Sequence, residues 1–210
     1  DSGGAVTAIV EHKDATPAQR AIREINTGVM AAPTACFARW LKVVDNRNAS
    51  GEYYLTDVIA LARKEGVAIE TSRAASVIET LGVNTMRELA MLERLYQRAQ
   101  ADALLDAGVT LADPDRIDIR GMLACGADVT IDVGCVFEGA VTLGDNVGIG
   151  AHCVIRNTRI ESGALIQPFT HMTDAVVGPR AEVGPFARLR PGAQLGPEVH
   201  IGNFVEVKNS

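Results

Sequence analysis

The chain has 210 residues, 47% of them hydrophobic and 4% aromatic, with a formal net charge of −6. That length allows one or two domains with an apolar core, and the negative charge argues against nucleic acid or an anionic membrane as a broad partner. A local basic pocket for a phosphate stays compatible with it.

The first eighty-odd residues read as α/β. Gly3-Gly4 suits a turn before a strand over Ala5–Val10, and the segments 26–31 and 67–71 suit two more strands. Helical spacing is expected over 17–23, 33–46 and 54–64, the last stopped by Gly66. Three strands and three helices do not close a doubly wound sheet, so the segment reads as the second half of a Rossmann-like domain whose first half precedes Asp1. A long helix comes next. Thr85 and Glu88 form a capping box, Met86, Leu89, Leu92, Leu95 and Ala99 form an apolar stripe, and Gly108 ends it. Arg87, Glu93, Arg94, Gln97 and Arg98 are expected on an exposed back face, as on a strut between domains. The segment from Asp113-Pro114 to Gly121 is expected to lead into the first coil of a repeat region.

From Ile131 onward an aliphatic or aromatic residue returns every sixth position. Ile131, Phe137, Leu143, Ile149 and Ile155 form one run, and Ile160, Ile166 and Met172 a second. Val177, Val183, Leu189, Leu195, Ile201 and Val207 form a third, and the runs join through spacings of five. Two positions earlier the residue is small or β-branched, as at Val129, Cys153 and Ala193, and Gly often follows the aliphatic. No helix has period six. A hexapeptide period is the signature of a parallel β-helix, with three hexads per triangular coil. The run stops in mid-pattern at Ser210, so an internal segment of a longer protein is expected. The expected organisation is 1–84, the C-terminal part of an α/β domain; 85–108, a linker helix; and 109–210, the N-terminal part of a β-helix.

Cys36, Cys125, Cys135 and Cys153 make no CxxC pair, and no signal-peptide pattern or transmembrane run is read. Reduced thiols in a cytoplasmic protein without membrane insertion are expected, with Cys135 and Cys153 stacked in the core one coil apart. His152, His171 and His200 fall in different slots or on non-adjacent turns, so no three-histidine zinc site is expected.

Chemistry concentrates in a few places. Glu11 follows an expected strand and Asn26 begins one, and open α/β sheets bind ligands at strand ends. A carboxylate and a carboxamide there can hydrogen-bond sugar hydroxyls; ordinary loop roles are the alternative. Asn84, just ahead of the long helix, reads on its own as a cap. Arg190 and Lys208 each follow the aliphatic slot and are eighteen residues apart, so they stack on adjacent coils. Two cations so placed repel unless an anion or an acid lies between them; a solvated pair of surface charges is the alternative.

The stretches Val10–Ala15 (VEHKDA), Glu24–Gly28 (EINTG), Asn48–Asp57 (NASGEYYLTD), Gly82–Asn84 (GVN), Phe186–Ala193 (FARLRPGA) and Ile201–Glu206 (IGNFVE) occur in that order around the long helix and the hexads. Together they resemble the bacterial bifunctional N-acetylglucosamine-1-phosphate uridyltransferase/glucosamine-1-phosphate N-acetyltransferase family, over essentially the whole chain. The resemblance implies a nucleotidyltransferase domain, a linker helix and a left-handed β-helix that forms homotrimers. It implies acetyl-CoA-dependent N-acetylation of glucosamine 1-phosphate. Uridylyl transfer from UTP to N-acetylglucosamine 1-phosphate would come second, giving UDP-N-acetylglucosamine and diphosphate for cell-wall and lipopolysaccharide precursors. By resemblance Glu11 and Asn26 bind the N-acetylglucosamine moiety, Asn84 binds Mg²⁺ and the nucleotide sugar, and Arg190 and Lys208 bind glucosamine 1-phosphate. The family's UTP loop and metal aspartate fall before Asp1. Its acetyltransferase histidine and most acetyl-CoA contacts fall after Ser210, so no catalytic residue is nominated within the chain. The rival expectation is a single-function sugar-phosphate nucleotidyltransferase whose β-helix is only a trimerisation scaffold.

Overall fold

A computed structural model describes residues 6–208. The expected Gly3-Gly4 turn therefore lies outside the described residues, as does Ala5. Two compact units divide the chain after Gly82.

The first unit holds three short helices: α1 (Pro17–Arg20), α2 (Thr34–Trp40) and α3 (Asp57–Lys64). α1 starts with a complete Thr16/Gln19 capping box and Pro at its first turn. Trp40, Val58 and Ala62 form its small core, with Phe37 edge-on to Trp40 at 6.1 Å. The strands expected over 6–10, 26–31 and 67–71 do not form. A strand exists only where its backbone finds a ladder partner, and these three segments find none among the described residues. Val29 is 84% exposed and Val10 41%, although Met30 and Ile69 pack against the Trp40 core.

The second unit opens with α4 (Met86–Asp106), capped by the expected Thr85/Glu88 box. It lies against the first coil of a left-handed parallel β-helix whose prism has three faces. One face is a six-stranded sheet from Thr110–Leu111 to His200–Ile201, paired in parallel and in register. The other two faces belong to one nine-stranded sheet. Its strands Ile117–Cys125 and Cys135–Leu143 are long enough to turn a corner, at Gly121 and Gly139. Beyond them the second face continues through Val154–Arg156, His171–Thr173, Arg188–Leu189 and Glu206–Val207. The third continues through Arg159–Ile160, Val176–Val177 and Gln194–Leu195. The first coil thus starts earlier than the sequence suggests, and 117–121 is part of it.

Hexad geometry explains the period. Side chains alternate in and out along each short strand, so every sixth residue points to the axis. From Ile131 to Leu195 each hexad residue is buried, and Thr158 and Ala175 fill the small slot at the two short joins. Cys135 and Cys153 are buried as expected, and all four cysteines are free thiols. Glycine follows the aliphatic where coils nearly touch. A Cβ on Gly178 would lie 2.5 Å from the Gly196 carbonyl.

Corners require left-handed backbone, and each corner column has its own chemistry. One stacks His152, Phe169, Phe186 and Phe204, all at φ between 56° and 61°, with ring centroids 5.0–5.4 Å apart. A second stacks Asn157 on Asp174 through a 2.9 Å hydrogen bond. A third pairs Arg180 with Glu198 at 2.6 Å.

The long helix departs from its expected orientation. Met86 and Leu89, expected in the apolar stripe, are 79% and 46% exposed, while Gln97, expected in solvent, is 3% exposed. The face against the coil includes Gln97, Gln100, Ala101 and Leu104. The reason is that the first coil presents open backbone groups as well as apolar surface, and an amide satisfies them better than a leucine.

Candidate functional site

The second face carries two outward columns. One runs Val136, Val154, His171, Arg188, Glu206. The other, two residues further along each strand, runs Glu138, Arg156, Thr173 and then Arg190 and Lys208. Leu189 and Val207 pair in register at the core, and the Arg190 N–H donates to the Val207 carbonyl at 3.0 Å. Alternation then turns Arg190 and Lys208 outward, one above the other. Gly192, at φ 88°, swings the chain away directly afterwards.

An acid does lie among the cations. Glu206 is 3.7 Å from Arg190 Nη1, 3.6 Å from Arg188 Nη1 and 3.3 Å from Lys208 Nζ. Each contact is longer than a tight charge-assisted hydrogen bond. Three cations share one carboxylate, and all are partly open to solvent. Such a cluster can exchange its long internal contacts for shorter ones to an entering phosphate. Glu206 and Arg188 were not singled out from the sequence, although both stand inside the FARLRPGA and IGNFVE stretches. Their signal was the register: Arg188 sits one coil below Glu206.

The first unit brings the VEHKDA and NASGEYYLTD stretches together. The Thr56 hydroxyl donates to Glu11 Oε1 at 3.4 Å, Ala49 N–H to Asp14 at 2.8 Å, and Lys13 Nζ to Ser50 Oγ at 3.1 Å. Burial first, then the neighbouring charges of Asp45, Asp14 and Glu11, push the Asp57 carboxyl above its ordinary range. Asn26 is exposed, and its side chain makes no hydrogen bond among the described residues; nearby Glu24 pairs with Arg73 at 3.4 Å. The fold therefore ties Glu11 to Thr56 but gives Asn26 no link to either.

Asn84 is not the helix cap. Thr85 occupies that position, and Glu88 reaches back to the backbone N–H groups of both Asn84 (2.7 Å) and Thr85 (3.0 Å). The Asn84 side chain is exposed and makes no hydrogen bond among the described residues, so one neutral oxygen is available. Among the described residues no group of three or more His, Cys, Asp or Glu side chains could hold a metal. Among the described residues Asn84 is therefore at most one of the several ligands a magnesium ion would need. No helix among the described residues is long and apolar enough to cross a membrane.

The fold and this face define a hexapeptide-repeat β-helix protein with a small helical unit ahead of it in the chain. A family profile described as the GMPPB C-terminal domain matches residues 119–210. The bifunctional protein GlmU of Chromobacterium violaceum is 63% identical over 207 residues, which is 99% of this chain and 46% of that protein. The GlmU of Methylibium petroleiphilum is 64% identical over 208 residues, 99% of this chain and 45% of that protein. The chain belongs to the GlmU family and spans less than half the length of these relatives. Among solved structures, a mutant of AntD, an N-acyltransferase from Bacillus cereus in complex with dTDP and coenzyme A, overlaps 60% of this chain and 79% of its own. Its TM-score is 0.44 at 17% identity. A mutant perosamine N-acetyltransferase from Caulobacter crescentus, in complex with CoA and GDP-perosamine, overlaps 72% of this chain and 82% of its own. Its TM-score is 0.46 at 19% identity.

Proposed function

We propose that this chain is the central part of a bifunctional enzyme of UDP-N-acetylglucosamine synthesis. Its β-helix would bind glucosamine 1-phosphate for N-acetylation by acetyl-CoA. Its first unit would help bind the N-acetylglucosamine part during uridylyl transfer from UTP. The observation that carries the reading is the convergence of Arg190, Lys208 and Arg188 on the single carboxylate of Glu206.

In acetyl transfer, the sugar amine attacks the thioester carbonyl and the CoA thiolate leaves. The role of this chain is to hold and orient the phosphate end. Arg190 supplies a planar fork and Lys208 a point charge one coil away, which together fix an anion in position and height. One coil face is too flat to enclose a sugar phosphate. A neighbouring subunit of a closed homotrimer would supply the other wall. In uridylyl transfer, the sugar phosphate attacks the α-phosphate of UTP and diphosphate leaves. Glu11 and Asn26 would then accept and donate hydrogen bonds to the sugar. Asn84 would offer one amide oxygen toward holding a magnesium ion, whose chemistry in such a transfer is neutralisation of phosphate charge. A cytoplasmic enzyme would suit such soluble substrates.

Kinetics of the intact enzyme test the division of labour. Arg190→Ala or Lys208→Ala should raise KM for glucosamine 1-phosphate about 10- to 100-fold, since a hydrogen bond to a charged group contributes about 1.5–3 kcal/mol. Uridylyl transfer should be unaffected. Glu11→Ala and Asn26→Ala should do the reverse. Unaltered acetyl transfer in both cation variants would discard the clamp, and unaltered uridylyl transfer in the other two would discard the sugar contacts.

A further inference from the structure

The cationic face extends below Arg190 and Lys208. Arg156 lies two rungs below Arg190 in the same outward column, with Thr173 between them. It is exposed and makes no ion pair among the described residues, because its register neighbour Glu138 pairs with Arg120 at 3.2 Å instead. In the adjacent column the exposed His171 lies directly below Arg188. From Arg156 up to Lys208 these two columns hold four permanent cations against the one carboxylate of Glu206, on a chain whose net charge is −6. At about 4.8 Å per rung the strip is about 14 Å tall at the backbone.

One phosphate at the Arg190 and Lys208 rungs leaves Arg156 without an anion. Like charges stacked on one face repel, and a ligand carrying a second anionic group offsets that repulsion. The corner column runs alongside. Phe169 and Phe186 stand two residues before His171 and Arg188, half-exposed and stacked at 5.0 Å, and give the strip an apolar border.

We propose that this face holds a second phosphate subsite, formed by Arg156, Thr173 and Arg188, and so accepts a ligand bearing two phosphate groups. The inference rests on reading Arg190 and Lys208 as a phosphate clamp. Guanidinium forks and a hydroxyl are the donors that suit phosphate oxygens, and here they face solvent at successive heights.

Calorimetric titration of the whole protein at low ionic strength, with inorganic phosphate and with inorganic diphosphate, tests it. Diphosphate should bind about tenfold or more tightly than phosphate. Arg156→Ala should remove that advantage and leave phosphate affinity within about twofold; Arg190→Ala should weaken both ligands. Arg156→Lys, which keeps the charge and loses the fork, should retain part of the advantage, and it carries the test if the alanine variant does not fold. Equal affinity for the two ligands, or an Arg156 variant that behaves as wild type, overturns the second subsite. Binding of both ligands undiminished by Arg190→Ala overturns the clamp instead.

Discussion

Gln97 pairs with Ile119 as another strand would: its side-chain oxygen accepts the Ile119 N–H at 2.7 Å, and its side-chain nitrogen donates to the Ile119 carbonyl at 3.0 Å. The same nitrogen donates to Glu93 at 2.8 Å, and Gln100 adds a longer bond to the Ile119 carbonyl at 3.2 Å. α4 thus covers an edge that a bare first coil would leave unpaired, as natural sheets cover theirs. Gln97→Ala should strand the buried Ile119 N–H and leave its carbonyl only the longer bond from Gln100. With one group unmet, the loss should be about 1–3 kcal/mol. Denaturant unfolding measures it; a midpoint equal to wild type would show that the helix is not a cap.

Space, not backbone freedom, requires glycine at Gly178. Its φ is not the left-handed value that favours glycine. A Cβ on Gly178 meets the Gly196 backbone at 2.5 Å. Gly178→Ala should cost about 1–3 kcal/mol by overpacking. A melting temperature equal to wild type would refute the close-approach account.

The hexad residues were legible because one geometric cause, six residues per face, repeats along the whole run. Gln97 was not, because polarity predicts exposure only where the facing surface is apolar. The aromatic column was also in the sequence, but the two short joins reset its spacing to 17, 17 and 18, which hides it from a fixed six-residue count. Arg190 and Lys208 were legible from register alone, and the acid demanded by their repulsion is Glu206. The expected strands at 6–10, 26–31 and 67–71 failed for a non-local reason: β propensity does not supply a partner.

The capping box gives the second unit an acid dependence. Two backbone N–H bonds, the one from Asn84 foremost, hold the Glu88 carboxyl below its ordinary value of 4.5. A depressed folded value means stability that is fully present above the unfolded value and lost as pH falls through the folded one. Glu88→Gln can keep the box geometry but not the charge. Its melting temperature should lie below wild type at pH 7, and the gap should close as pH falls well below 4.5. A gap independent of pH would assign the effect to packing.

Asn84 and Thr85 are neighbours with separable roles. Thr85 accepts the Glu88 N–H at 3.2 Å and is the cap, so Thr85→Ala should lower helix stability by about 1 kcal/mol. Asn84 contributes only its backbone N–H to the box, and alanine retains that group. Asn84→Ala should therefore leave the melting temperature unchanged. If its free amide oxygen ligates magnesium, the same variant in the intact enzyme should raise the Mg²⁺ concentration needed for half-maximal uridylyl transfer, while Thr85→Ala should not. A lowered melting temperature with an unchanged Mg²⁺ requirement would return Asn84 to a structural role.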